Sequence, residues 1–289
     1  MKGIILAGGS GTRLRPMTSI QSKHLIPVYD KPMIYYPLSS LMLGGIREIL
    51  IISTPRDLPD FRRLLSDGSD IGIDLKYMEQ PTPRGLPEAF ILGKEFISSD
   101  SVTLILGDNI FYSDNFSETF RDAARRTEKS GVANLFGARV VDPERFGVAE
   151  VDATEKLLNI VEKPKDPKSN IAVTGLYMYD KSVSDRAESL SPSSRGELEI
   201  TDLNMTYVKE GRAQINLIDD GGIWMDAGTP DSLLEASKKI CSLQNGQRFV
   251  ACLEEISYRM GFINLDTFAT LVESHESSSP YGAYLRSIA

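Results

Sequence analysis

At 289 residues the chain can bury a large α/β core as one domain with an appendage. Its composition is that of an ordinary globular protein, and a formal net charge of −8 argues against a general nucleic-acid binder, so affinity for phosphate must come from local cations and a metal. No apolar run is long enough to cross a bilayer, and the chain enters its first strand without a signal-peptide layout, so no membrane partner and a cytoplasmic location are expected.

Residues 2–7 read Lys-Gly-Ile-Ile-Leu-Ala, the pattern of a strand buried on both faces of a parallel sheet. The strand empties into Gly8-Gly9-Ser10-Gly11-Thr12-Arg13. Glycines there let backbone N–H groups converge on an anion, and Arg13 and Lys23 add positive charge, so the segment reads as a polyphosphate cradle or a glycine-rich turn. It is not a Walker A loop, because no Lys follows Gly11. Nor is it a dinucleotide fingerprint: Leu14 stands where the third glycine belongs, and the second strand ends in Ser53-Thr54-Pro55 with no carboxylate for a ribose.

A helix follows through Leu41–Leu43, then a buried strand over 48–53, an amphipathic helix over 57–65, a strand over 73–77, a helix over 88–96 and a strand over 102–106. Strands alternating with helices imply parallel βαβ units, with the site beyond the carboxyl ends of the strands. Closely spaced strands at 132–140, 147–151, 157–161 and 173–179 suggest added β structure over one side of a pocket. A helix over 197–210 and a strand over 213–218 follow, and from Pro230 the chain reads as helices over 231–243, 252–260 and 266–273. The expected architecture is a three-layer α/β sandwich with a mostly parallel, Rossmann-like central sheet. Residues 1–229 would form the main domain and 230–289 a helical appendage packed on it.

Asp108 ends the strand Val102–Leu106 after Gly107, where a carboxylate suits Mg²⁺ above a polyphosphate or simply caps a turn; Asn109 adds a second polar contact. Asp226 is the second candidate, as a metal partner for Asp108 or as a helix cap, a task that Thr229 explains more simply. Glu162-Lys163-Pro164 could place a carboxylate on sugar hydroxyls and a cation on phosphate, or be an ion-rich turn. Gln80, in Gln80-Pro81-Thr82-Pro83-Arg84-Gly85, offers a donor and an acceptor to a base edge, with Gly85 allowing close approach; a plain Pro/Gly loop is the alternative. Cys241 and Cys252 show no metal or redox spacing and are expected to be reduced core residues, and His24 and His275 are too few for a histidine zinc site.

Gly8–Leu14 with Pro16, Lys23 and Pro27, together with Val28–Leu38, Leu106–Phe111, Glu162–Pro164 and Arg195–Thr201, resembles the sugar-1-phosphate nucleotidylyltransferases, and among them the glucose-1-phosphate thymidylyltransferases. The similarity runs from Met1 to about Leu285. It implies that Gly8, Gly9, Ser10, Gly11, Thr12 and Arg13 wrap dTTP, that Lys23 contacts the reacting phosphates, and that Gln80 and Gly85 read thymine. It further implies that Asp108 and Asp226 hold Mg²⁺, that Asn109, Gly147, Glu162 and Val173 position glucose 1-phosphate, and that Lys163 meets its phosphate. A homotetramer with a regulatory dTDP-sugar site is implied as well. The chain departs from the family pattern at His24 for Gln, Pro87-Glu88 for Ala-Gln, Ala227 for Thr, Phe146 for Tyr, and Ser113-Asp114-Asn115 for a glycine-rich turn. The first two bear on nucleotide preference, so UTP, an amino-sugar phosphate, or a non-catalytic nucleotide-sugar sensor stay open beside dTTP and glucose 1-phosphate.

Overall fold

The computed structural model describes residues 1–219, 221–244 and 248–289. The first strand, β1 (Lys2–Leu6), leads through a glycine turn to a two-residue ribbon, β2 (Pro27–Val28) and β3 (Lys31–Pro32), and then α1 (Tyr35–Leu43). Next come β4 (Glu48–Ser53), α2 (Leu58–Leu65), β5 (Asp74–Glu79), α3 (Glu88–Leu92), α4 (Lys94–Ile97) and β6 (Val102–Leu106). The middle holds β7 (Asn109–Tyr112), α5 (Phe116–Ser130), β8 (Ala133–Arg139), β9 (Gly147–Val151), β10 (Leu157–Glu162) and β11 (Ile171–Tyr179). The last part comprises α6 (Val183–Glu188), α7 (Ile200–Lys209), β12 (Ala213–Leu217), β13 (Ile223–Asp226), α8 (Pro230–Gln244), α9 (Leu253–Arg259), α10 (Leu265–Ser274) and α11 (Pro280–Ile288).

The main sheet runs β10-β9-β11-β6-β1-β4-β5, with β8 on β11 and β12 on β8. β5, β4, β1 and β6 are mutually parallel, whereas β11 is antiparallel to β6, and β8 and β9 are antiparallel to β11. The inner strands of the parallel half, β4, β1 and β6, are largely apolar because both their faces are covered, whereas the edge strand β5 leaves Asp74, Lys76 and Glu79 exposed. Ile4, Leu50, Ile52 and Leu104 enter one core, and the alternating Ile5, Ile49, Ile51 and Ile105 enter the other. The expected three-layer architecture is therefore observed, with the antiparallel half as the added β structure.

The C-terminal helices share cores with the start of the chain. Leu233, Ala236 and Ile240 of α8 pack with Leu14, Ile26, Val28 and Met33. Lys31 is buried; its ammonium donates to Asp30 at 2.7 Å and to Gln244 at 3.1 Å and lies over the rings of Phe249 and Tyr281. A buried cation with carboxylate, amide and ring partners fixes this junction more specifically than apolar contact alone.

Some elements differ from the sequence reading. The expected helix over 88–96 is broken at Gly93, where an added Cβ would stand 2.9 Å from the Ala89 carbonyl oxygen. The helix expected from Glu197 begins only at Ile200, because Leu198 is drawn into extended pairing with Arg84 and Gly85. The strand β7 and the helices α5, α6 and α11 are additional. Cys252 is buried, but Cys241 is an exposed thiol rather than a core residue.

Candidate active site

β1 and β6 are neighbours in register, Leu6 opposite Leu106, and the Gly107 N–H donates to the Leu6 carbonyl at 3.0 Å. The glycine turn after β1 and the carboxylate after β6 therefore leave the sheet side by side, at the crevice where β4 and β6 diverge from β1. A cavity of about 330 Å³ opens there. Gly8, Gly9, Lys23, His24 and Asp108 line one part of it, Gln80, Gly85 and Leu86 a second, and Glu162, Lys163, Arg195 and Glu197–Ile200 a third. The glycine turn is held by the Thr18 hydroxyl, which donates to the Gly11 carbonyl at 2.8 Å. Ser10, Thr12 and Arg13 stand exposed beyond the cavity.

Asp226 comes to Asp108 through a second, small sheet. β13 pairs antiparallel with β7, Asp226 opposite Asn109, and the Ala227 N–H donates to the Asp108 carbonyl at 3.0 Å. Thr229 caps α8, its hydroxyl accepting from the Ser232 N–H at 3.2 Å, which leaves Asp226 without that task. The Arg13 guanidinium lies close by: Nη2 is 2.9 Å, and Asp226 Oδ1 2.8 Å, from where a Cβ on Gly228 would stand.

The electrostatics of the pair are asymmetric. Burial works to raise the Asp108 carboxyl, but the Lys23 ammonium against its Oδ2 and the Asn109 amide on its Oδ1 outweigh burial and hold it at about 2. Asp226 is raised above the ordinary range, by burial first and then by the Asp108 carboxylate, while Lys23, Arg13 and Arg145 pull the other way. Its Oδ1 is buried and has no hydrogen-bond partner among the described residues. A buried carboxylate oxygen without a partner, beside a second carboxylate, is the environment a hard divalent cation satisfies. The residues present thus fit a hard divalent cation such as Mg²⁺, which Asp108 and Asp226 would hold.

His24 is fully buried. Burial first, and then the neighbouring Lys23 charge, lower its pKa to about 3, so the ring is neutral at working pH. Its Nδ1 is 3.1 Å from the Ser22 hydroxyl.

The sugar candidates divide. Glu162 and Lys163 line the cavity at the end of β10. Glu162 accepts from the Thr201 hydroxyl at 2.8 Å, and Lys163 Nζ lies 3.0 Å from Glu162 Oε1. Lys163 has a left-handed backbone, φ 42°, a conformation costly for a non-glycine residue that concentrates at functional sites. Gly147 lies behind Glu162, where an added Cβ would be 3.4 Å from Oε2. Val173 is a buried β11 residue, and neither it nor Gly147 lies in the cavity wall. Asn109 is buried and committed internally: its Oδ1 accepts from the Gly175 N–H at 3.0 Å and from Trp224 Nε1 at 2.6 Å, and its amide donates to Asp108 at 3.1 Å. Its observed work is to position Asp108.

Sequence reasoning gave Arg195 and Thr201 no role beyond their place in a motif, and named Glu88 only, with Pro87, as a departure bearing on nucleotide preference. Arg195 lines the cavity rim and pairs with Glu199 at 2.8 Å, the two lying four apart at the entry to α7. Gly85, at φ 102°, has an added Cβ position only 2.0 Å from the Leu198 carbonyl oxygen, so only glycine lets the 80–85 loop close on the 195–200 wall.

Known proteins carry the same sequence pattern over nearly the whole chain. A family model for nucleotidyl transferase matches residues 2–242. A glucose-1-phosphate thymidylyltransferase of Neisseria gonorrhoeae is 53% identical over 286 residues, 99% of this chain and 98% of its own length. One of Mycolicibacterium smegmatis is 49% identical over 99% of this chain and 98% of its own length. A crystal structure from Bacillus anthracis, provisionally described as a glucose-1-phosphate thymidylyltransferase in complex with a sucrose, superposes with a TM-score of 0.76 at 42% identity. That match covers 83% of this chain and 94% of the other. On the strength of these matches, the chain belongs to the nucleotidyl transferase family.

Proposed function

We propose that the protein is a sugar nucleotidylyltransferase that converts dTTP and α-D-glucose 1-phosphate to dTDP-α-D-glucose and diphosphate. The observation that carries this reading is the meeting of Asp108, Asp226 with its unpartnered oxygen, and Lys23 at the mouth of the glycine turn. Relatives about half identical over their full lengths bear the thymidylyltransferase name.

The chemistry asks little of an acid or base, because a phosphate monoester oxygen is already a nucleophile at neutral pH. That oxygen forms a bond to the α-phosphorus of dTTP, the α–β bridging bond breaks, and diphosphate leaves with its electron pair. Asp108 and Asp226 would hold Mg²⁺, which would supply neutralisation of phosphate charge. The remaining tasks are alignment and electrostatic stabilisation. Gly8–Arg13 wrap the triphosphate, with Arg13 beside the departing diphosphate. Lys23 meets the reacting phosphates, and Lys163 with Arg195 holds the sugar phosphate. Glu162, oriented by Thr201 and backed by Gly147, accepts from sugar hydroxyls. Gln80 and Gly85 face the base.

A panel of nucleoside triphosphates and sugar 1-phosphates, read as diphosphate release with Mg²⁺, tests the proposal. Preference for dTTP with glucose 1-phosphate supports it. Preference for UTP or an amino-sugar phosphate would change the substrate, and binding without diphosphate release would make the protein a nucleotide-sugar sensor.

A further inference from the structure

Gln80 and Glu88 are both buried, at 2% and 3% exposure. Gln80 Nε2 donates to Glu88 Oε2 at 2.7 Å. The same oxygen accepts from the Arg84 N–H at 3.0 Å, and Glu88 Oε1 accepts from Arg84 Nε at 2.7 Å. On its other side Gln80 packs against the glycine turn: its Oε1 is 2.7 Å from where a Cβ on Gly8 would stand. Gln80, Gly8 and Gly85 all line the cavity.

A glutamine amide is nearly symmetric in shape, and its two flips present opposite hydrogen-bonding edges. Glu88 removes that freedom. An ion-paired carboxylate only accepts, so flipping the amide would place Gln80 Oε1 against Glu88 Oε2 and leave two buried acceptors facing each other. The amide is therefore held with Oε1 as a fixed acceptor on its far side. A pyrimidine with an N3–H beside a carbonyl, such as thymine or uracil, matches a fixed acceptor. Cytosine presents an unprotonated N3 beside an amino group, the reverse pattern, and would require the flipped amide.

We infer that Glu88 is a positioning residue that locks the Gln80 amide and so excludes cytosine nucleotides from the base pocket. The inference rests on the nucleotidylyltransferase reading above, and its contacts are made by residues on the protein's own side of the cavity. Glu88 touches Gln80 and Arg84 and does not itself line the cavity, whereas Gln80 does.

The test measures kcat and KM for dTTP and for dCTP in the wild type, Glu88→Leu and Glu88→Gln. The wild type should favour dTTP by at least about a hundredfold in kcat/KM, the scale of a buried polar mismatch. Glu88→Leu frees the amide and should shrink that ratio at least about tenfold, mainly through a lower KM for dCTP. Glu88→Gln can still accept from Gln80 Nε2 and the Arg84 N–H through one oxygen, so it should recover a ratio within about threefold of wild type. Parallel losses for both nucleotides in Glu88→Leu, with the ratio kept, would show a merely structural role and overturn the inference, as would Glu88→Gln behaving like Glu88→Leu. Should Glu88→Leu fail to fold, wild-type crystals with dTTP decide: Gln80 still on Glu88 and facing N3 supports the lock, and Glu88 turned away from Gln80 refutes it. Absence of any dTTP turnover in the wild type would instead remove the enzymatic reading itself, a separately visible result.

Discussion

Asp226 stands beside Asp108 because the Ala227 N–H donates to the Asp108 carbonyl at 3.0 Å, at the end of the β7–β13 ribbon. The burial of one carboxyl and the Lys23 pairing of the other push the two titrations apart, the arrangement expected of like charges gathered for a cation. Replacing either with its amide removes a negative charge while keeping shape. Asp108→Asn and Asp226→Asn should each lower turnover at least about a hundredfold, the scale of a lost electrostatic contact at a reacting centre. Diphosphate release at saturating Mg²⁺ measures this, and a near-normal rate would take that residue out of the metal site.

Thr201 orients Glu162 through a 2.8 Å bond without itself lining the cavity. Thr201→Val keeps the shape and drops the donor. KM for glucose 1-phosphate should rise about tenfold, the equivalent of one hydrogen bond to a charged group, with KM for dTTP little changed. Steady-state kinetics with each substrate varied in turn check this. Equal effects on both would point to general disruption instead.

Asn109 satisfies the Gly175 N–H and the Trp224 indole, both through Oδ1. Asn109→Leu would strand the buried Gly175 N–H and the half-buried Trp224 indole N–H, so it should destabilise the fold by about 2–4 kcal/mol. A urea denaturation midpoint reads the loss, and an unchanged midpoint would contradict the network.

His24 carries a pH dependence of stability. Its folded value of about 3 lies below the ordinary 6.5, so the neutral ring contributes stability above pH 6.5 that is lost as pH falls toward 3. Between about pH 7.5 and pH 5 the wild type should lose about 2 kcal/mol more than His24→Gln, which has no charge to gain. Urea titrations at the two pH values check it, and parallel losses would show that the ring is not buried as a neutral group.

The parallel half of the sheet was legible because buried strands advertise themselves: Ile49, Leu50, Ile51 and Ile52 are apolar in sequence and are divided between two cores in space. The pairing of Asp108 with Asp226 is readable from two carboxylates that each follow a strand, and the resemblance to known enzymes implies the same; how they meet was not legible, because the short ribbon that joins them depends on contacts distant in the chain. The helix Phe116–Ser130 carries a signal that could have been found. Phe116, Phe120, Ala123 and Thr127 fall on one buried face, although its remaining residues are strongly polar. Glu88 illustrates the opposite case. Its distance from Gln80 along the chain gives no warning that a Pro-rich loop folds back to join them.

The most direct test of the account is a crystal grown with dTTP and Mn²⁺, read for anomalous scattering. The account predicts one strong peak within about 2.5 Å of a carboxylate oxygen from Asp108 and one from Asp226, with the triphosphate along Gly8–Arg13. A peak bound away from both aspartates, or a triphosphate seated clear of the glycine turn, would contradict it.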